Sequence, residues 1–185
     1  MPPASPCMGL LRSSLRESSA KEHSLVRADK ESPTNVLAGI LHRDDILLDL
    51  DVISKRRLFE EVGSFFHDRH ALSKAQVEDS LGKRENLGST GLGQGVAIPH
   101  ARIRNLDRAI GAFVRTRSPI SFDAPDGKPV SEIFVLLVPE KATEMHLQIL
   151  AAVAQTFGDR IFREKLRMCV TASEVYQLFC EPQPS

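Results

Sequence analysis

A chain of 185 residues, 42% hydrophobic and 26% charged, with 24 basic residues against 24 acidic ones, has room for one globular domain and some spare length rather than two domains. The even balance of charge supplies no overall field to favour nucleic acid or an anionic membrane, and no apolar run reaches the roughly 18 residues of a membrane span, so membrane insertion is not expected. Cys7, Cys169 and Cys180 make neither a CxxC pair nor a disulfide framework, and a domain of ~150 residues buries enough surface to fold without a staple; a soluble, cytoplasmic protein is the expectation.

Residues 1–36 hold Pro2, Pro3, Pro6 and Pro33, many serines and mixed charges, with one short apolar patch from Met8 to Leu11. This composition predicts a disordered N-terminal extension. It lacks the long apolar stretch of a signal peptide, and Glu17 and Glu22 are out of place in an organellar presequence.

Residues 37–180 read as the folded domain. Ile46 to Asp51 predicts a short strand, and Ser54 caps a helix with Leu58, Val62, Phe65, Phe66 and Arg69 on one side. Ser73-Lys74-Ala75-Gln76 is a capping box that opens a second helix, with Leu72 placed to staple onto Val77. Val77 and Leu81 form its apolar stripe, and at 100° per residue Arg84 continues that stripe into the last turn.

Gly88 to Gly95 is a glycine-rich loop; Val96 to Ile98 makes a short strand that Pro99 stops, and His100 follows at once. Ala109 to Arg115 and Pro119 to Phe122 are predicted strands, with a turn at Pro125-Asp126-Gly127. Glu132 to Val138 is almost continuously apolar, as in a central strand covered on both faces, which requires helices on each side of the sheet. Thr143 caps a helix that points His146, Leu150, Val153 and Phe157 inward. Thr171-Ala172-Ser173-Glu174 is a second capping box, with Val170 and Val175 as its staple, so a helix runs to about Phe179; residues 181–185 form a tail. The fold class expected is α/β (α+β) in three layers.

Six histidines are present, and helical phase separates them. His67 and His70 lie about 180° and 120° from Leu58 and read as solvated; a zinc site there lacks further ligands of suitable spacing. His23 and His42 have no chemical context. His100 follows a strand, a proline and a loop in which backbone N–H groups can approach an anion without an intervening side chain. A neutral imidazole is a competent nucleophile toward phosphorus, and Arg84 and His146, both inward at helix ends, are candidates to offset phosphoryl charge. The same patterns also fit structural roles: His100 bonded to a backbone carbonyl, Arg84 bound to its own helix C-terminus, and His146 half packed in a first turn.

Several catalytic motifs do not match. Gly91 to Val96 lacks the last glycine of GxGxxG and precedes a strand instead of following one; no Gly-Lys-Ser/Thr ends the run as in a P-loop, and there is neither a G-x-S-x-G elbow nor an HExxH.

The run from Arg84 to His100, RENLGSTGLGQGVAIPH, resembles the mannitol/fructose-type IIA proteins of the bacterial phosphotransferase system. Ile120 to Ala124, Leu136 to Pro139 and His146 to Leu150 extend the likeness over about Val36 to Phe179, and among such proteins the chain is most similar to the nitrogen-regulatory IIA type. The resemblance implies a mixed sheet of about five strands between helices. It implies that His100 accepts phosphate from a histidine-containing phosphocarrier protein, itself charged from phosphoenolpyruvate by enzyme I, with His146 and Arg84 supporting the phosphoryl group and Ser89, Thr90 and Gly91 in the loop lining the site. No cofactor or metal is called for. Potassium transporters and sensor kinases are the regulated partners it suggests; the alternative is a sugar-specific component that passes phosphate to a IIB protein. Ala101 stands where many relatives have glycine.

Overall fold

A computed structural model describes residues 33–141 and 144–181 of the chain; residues 1–32 of the extension predicted over 1–36, the Thr143 cap and the tail from 182 lie outside the described residues, whereas residues 33–36, also expected to be disordered, are the start of a helix that carries the buried Leu37. Within them, α1 (Pro33–Ala38) leads into β1 (Leu41–Leu50), followed by α2 (Lys55–His70) and α3 (Lys74–Asn86). Next come β2 (Gly91–Gly93), β3 (Val96–Ala97), β4 (His100–Ile103), β5 (Ile110–Ile120) and β6 (Val130–Pro139). Three helices close the domain: α4 (Glu144–Gly158), α5 (Arg160–Met168) and α6 (Ala172–Cys180).

The six strands form one mixed sheet in the order β1-β5-β6-β3-β2, with β4 also paired to β6. β3 and β4 occupy a single position in that order. Val96 pairs with Glu132 and Ala97 with Ile133, and at the same offset His100 pairs with Leu136 and Ile103 with Pro139. They are one strand interrupted at Ile98-Pro99, because proline cannot donate to the ladder; its carbonyl still accepts from Leu136 N–H at 2.9 Å. The sheet thus has the five lateral positions expected and six strands.

Helices cover both faces, which makes the three layers. Leu58, Phe59, Val62 and Phe66 of α2 join Val77 and Leu81 of α3 in one core, against Ala101, Ile103, Ala112, Val114, Ile133, Val135 and Leu137 from the sheet. The opposite core holds Leu37, Ile149, Val153, Phe157, Phe162, Leu166, Val175 and Phe179 against Phe113, Phe134, Leu136 and Val138. Strict alternation along β6 feeds the two cores in turn.

The caps follow the sequence closely. Ser54 accepts from Arg57 N–H, Ser73 accepts from Gln76 N–H, which is one half of the box expected there, and Thr171 with Glu174 forms a complete capping box. Val170 does not staple: it is 77% exposed, and its N–H is drawn instead to the Glu174 carboxylate at 2.8 Å. Strand β1 begins five residues before the expected Ile46. Helix α5 was not expected at all; Asp159 caps it, and Phe162 and Leu166 are its only buried side chains. Arg115 holds its C-terminal end to the sheet by donating to the Leu166 and Cys169 carbonyls. No described helix is long and apolar enough to cross a membrane.

Candidate active site

The glycine-rich segment is a hairpin rather than an open loop. Gly91 pairs with Ala97 and Gly93 with Val96, and the connecting Gln94 and Gly95 have φ of 57° and 83°, the positive values of a two-residue primed turn. Gly91 is needed for a close approach: a Cβ there would lie 2.9 Å from the Cβ of Ala124. Asp126 accepts from Gln94 N–H at 2.8 Å and Arg167 donates to the Gln94 carbonyl at 2.7 Å, so the hairpin tip is held from both sides.

Beyond the hairpin the chain breaks at Pro99, and His100 opens β4 with its side chain half-buried. Its Nδ1 lies 2.9 Å from the Ile98 carbonyl, and Arg84 Nε donates to its Nε2 at 3.0 Å. A carbonyl only accepts and a guanidinium only donates. The ring is therefore the neutral tautomer with its proton on Nδ1 and its lone pair on Nε2. Burial pushes the His100 pKa below the ordinary imidazole value; the Ile98 carbonyl opposes this, and Arg84 and His146 add to the lowering, in the direction that favours the neutral ring the hydrogen bonds specify.

Arg84 reaches His100 from the last turn of α3, where its other arm donates to the Gly88 carbonyl at 2.9 Å. His146, in the first turn of α4, stands across from it with ring centroids 5.8 Å apart. It is 9% exposed, and neither of its nitrogens has a hydrogen-bond partner among the described residues. Burial lowers its pKa, aided by Arg102 and then Arg84. Arg84, His100 and His146 line one cavity of about 440 Å³ with Ser80, Lys83, Leu87, Ala101 and Arg102. The site thus sits at the sheet edge, where α3 from one layer and α4 from the other meet β4.

Ser89, Thr90 and Gly91 do not line that cavity. Ser89 Oγ donates to the Phe122 carbonyl at 2.5 Å and accepts from Gly91 N–H at 3.0 Å. Thr90 is buried; its hydroxyl and N–H both donate to Glu85 Oε2, at 2.6 and 3.1 Å. Glu85 also takes Lys55 Nζ at 3.2 Å, and the same ammonium meets Asp123 at 2.6 Å. This buried carboxylate ties the end of α3 to the hairpin and to the 122–124 segment, directly behind Arg84.

Of the remaining histidines, His67 is exposed, as expected. His70 is not solvated: it is half-buried, with Nε2 3.0 Å from the carboxylate of Asp45. Asp45 is fully buried on β1, and the end of α2 lies against it. Arg69 is exposed and pairs with Asp44 at 3.2 Å. No group of three or more His, Cys, Asp or Glu side chains is arranged to hold a metal among the described residues.

Two residues with a part in this architecture were not singled out from sequence. Arg102 lies two residues along β4 from His100, a spacing that shares one face of a strand, but reading Pro99 as the end of the strand concealed it. Glu85 follows Leu81 by four residues on α3, a helical repeat that its charge argued against.

Residues 39–181 match the family model described as "Phosphoenolpyruvate-dependent sugar phosphotransferase system, EIIA 2". A nitrogen regulatory protein of Pseudomonas aeruginosa is 40% identical over 131 residues, 70% of this chain and 85% of that protein. The crystal structure of nitrogen regulatory protein IIA-Ntr from Neisseria meningitidis is similar at 51% identity and a TM-score of 0.74, covering 78% of this chain and 99% of that one. The IIA mannitol structure from Escherichia coli shares the fold at 17% identity, with a TM-score of 0.63 over 75% of this chain and 97% of that one.

Proposed function

The chain belongs to the EIIA type-2 family of the phosphoenolpyruvate-dependent sugar phosphotransferase system and is a phosphocarrier or regulatory component of that system; on that premise we propose that it accepts a phosphoryl group on Nε2 of His100. The observation that carries this is the fixed tautomer. With Nδ1–H committed to the Ile98 carbonyl, the lone pair on Nε2 faces the cavity shared with Arg84 and His146.

In the transfer, the bond between phosphorus and the donor's histidine nitrogen breaks, its electron pair returns to that nitrogen, and the Nε2 lone pair forms the new P–N bond. No proton has to leave Nε2. The protein's work is alignment of the two nitrogens and stabilisation of the three oxygens. Arg84 exchanges its bond to Nε2 for bonds to those oxygens, and His146 supplies a donor whose other opportunities burial has removed. Ser89, Thr90 and Gly91 serve at one remove, by fixing the hairpin that delivers His100.

The donor is a histidine-containing phosphocarrier protein, charged from phosphoenolpyruvate by enzyme I. The phosphorylated and free forms then act differently on nitrogen- and potassium-related regulators, including sensor kinases and potassium transporters; the nitrogen-regulatory names of the relatives support this direction. Incubation with phosphoenolpyruvate, enzyme I and the phosphocarrier tests the acceptor. The expected product is an acid-labile, base-stable phosphate on wild-type protein, absent from His100→Ala, with ³¹P–¹⁵N coupling to Nε2. No label on the wild type, or label retained in His100→Ala, refutes the assignment. Rapid, complete transfer from the labelled protein to a IIB protein favours the transport alternative.

A further inference from the structure

Arg102 stands on the strand that carries His100. Two residues apart on β4, the two side chains emerge on the same face, while Ala101 and Ile103 are buried in the core on the other. Both Arg102 and His100 line the cavity that also contains Arg84 and His146. Among the described residues Arg102 has neither a hydrogen bond nor an ion pair, although nearby Arg104 pairs with Glu140 at 3.4 Å. Lys83, which also lines the cavity, is held by Asp79 at 2.7 Å.

The cavity therefore presents an uncommitted guanidinium together with a buried imidazole whose two nitrogens lack partners. A buried polar ring without a partner is costly, and a guanidinium fork matches the oxygens of a phosphoryl group. A single tetrahedral anion satisfies both. Arg84 reaches the same place from α3, but one of its arms is already spent on the Gly88 carbonyl.

Resting on the phosphohistidine reading above, we propose that Arg102 is a second phosphoryl-binding arginine, which engages the oxygens of the group on His100 from the β4 side while Arg84 engages them from α3. Phosphorylation then recruits an exposed side chain into the site. The surface at the cavity mouth changes by the closure of Arg102 as well as by the added charge.

Arg102→Gln and Arg102→Lys separate this from a structural role, with Arg43→Gln, on the exposed part of β1, as the control. Titration of inorganic phosphate, followed through the imidazole resonances of His100 and His146, is expected to show binding weakened about tenfold in Arg102→Gln, as for loss of a charge-assisted contact, with partial recovery in Arg102→Lys and none lost in Arg43→Gln. In the phosphorylated protein the phosphoryl pKa, read from ³¹P shift against pH, is expected to rise in Arg102→Gln, because removing a cation favours the protonated group. Equal phosphate affinity in Arg102→Gln and wild type overturns the proposal, as does an unchanged ³¹P titration. Failure of the wild type to phosphorylate at all counts against the His100 assignment instead, and the inorganic phosphate titration still decides the role of Arg102.

Discussion

Arg84 Nε donates to His100 Nε2 at 3.0 Å, so in the proposed transfer the guanidinium starts beside the nitrogen that would form the P–N bond. A planar fork placed by the Gly88 carbonyl is pre-organised for this in a way that a flexible ammonium is not. Arg84→Lys should therefore behave nearly as badly as Arg84→Ala. Both are expected to slow phosphoryl gain by about 100-fold, the range seen when one oxyanion donor is removed, with thermal stability little altered. Rapid-quench measurement of phosphoryl transfer, alongside thermal denaturation, checks it; wild-type rates in Arg84→Ala would remove the residue from the mechanism.

The two imidazoles give a pH signature with a definite sign. Both are held below the ordinary value, mainly by burial, with Arg84 acting on each. A depressed histidine is neutral in the fold at pH values where the unfolded chain has begun to charge it. The stability it contributes is present above its unfolded pKa of about 6.5 and is lost as pH falls through the folded value. Phosphorylation adds roughly −1.5 to −2 charges, by analogy with other phosphoresidues, beside His146, which favours its charged form. Its pKa is expected to rise by at least about one unit. NMR titration of the ring before and after phosphorylation tests this, and a downward or absent shift would show that His146 does not face the phosphoryl group.

Much of this geometry was legible in the chain, because the signals were local. Ser54, Ser73 and the Thr171–Glu174 box announced three helices, and the apolar run ending in Leu136-Leu137-Val138 announced a strand buried on both faces. The carbonyl bond of His100 and the helix-end bond of Arg84 were among the structural roles open from sequence. Both exist, and each turns out to serve the geometry of the site: the first sets the tautomer and the second aims the fork. What stayed hidden depends on tertiary contact. Pro99 reads as a strand end, yet the partner β6 continues past it in unchanged register, and that continuation gives Arg102 its face. Helix α5 has only Phe162 and Leu166 to mark its buried side, too short a period to see. Nothing in the alternation of β1 told that Asp45 is buried, or that His70 would be drawn to it.

Glu85 offers a test of how the site is braced. It receives the N–H and hydroxyl of Thr90 and the ammonium of Lys55, so Glu85→Ala strands two buried donors and removes the clamp behind Arg84. The cost should be about 1.5–3 kcal/mol, the range for hydrogen bonds to a charged group. Thr90→Val removes only the hydroxyl and should cost about 1 kcal/mol. In the double variant the costs should fall short of their sum, since both changes delete the same bond. Urea denaturation measures all three. Strict additivity would mean that the carboxylate and hydroxyl do not interact in solution.

Leu87, which lines the cavity, is 85% exposed, and Met145 and Leu147, the chain neighbours of His146 on α4, are 64% and 65% exposed. Apolar groups left in water beside the proposed acceptor suit the proposed phosphocarrier, which on that reading would bring its own histidine to within bonding distance of Nε2 and then leave. Leu147→Asp puts a carboxylate into that contact without touching Arg84, His100 or the core. It is expected to raise the KM for the phosphocarrier about tenfold or more, the consequence of a charge desolvated at the interface, while kcat changes little because the reacting groups are intact. The inorganic phosphate titration should be unaffected. A fall in kcat at constant KM would instead assign Leu147 to the transfer step, and unchanged kinetics would place the phosphocarrier on another face.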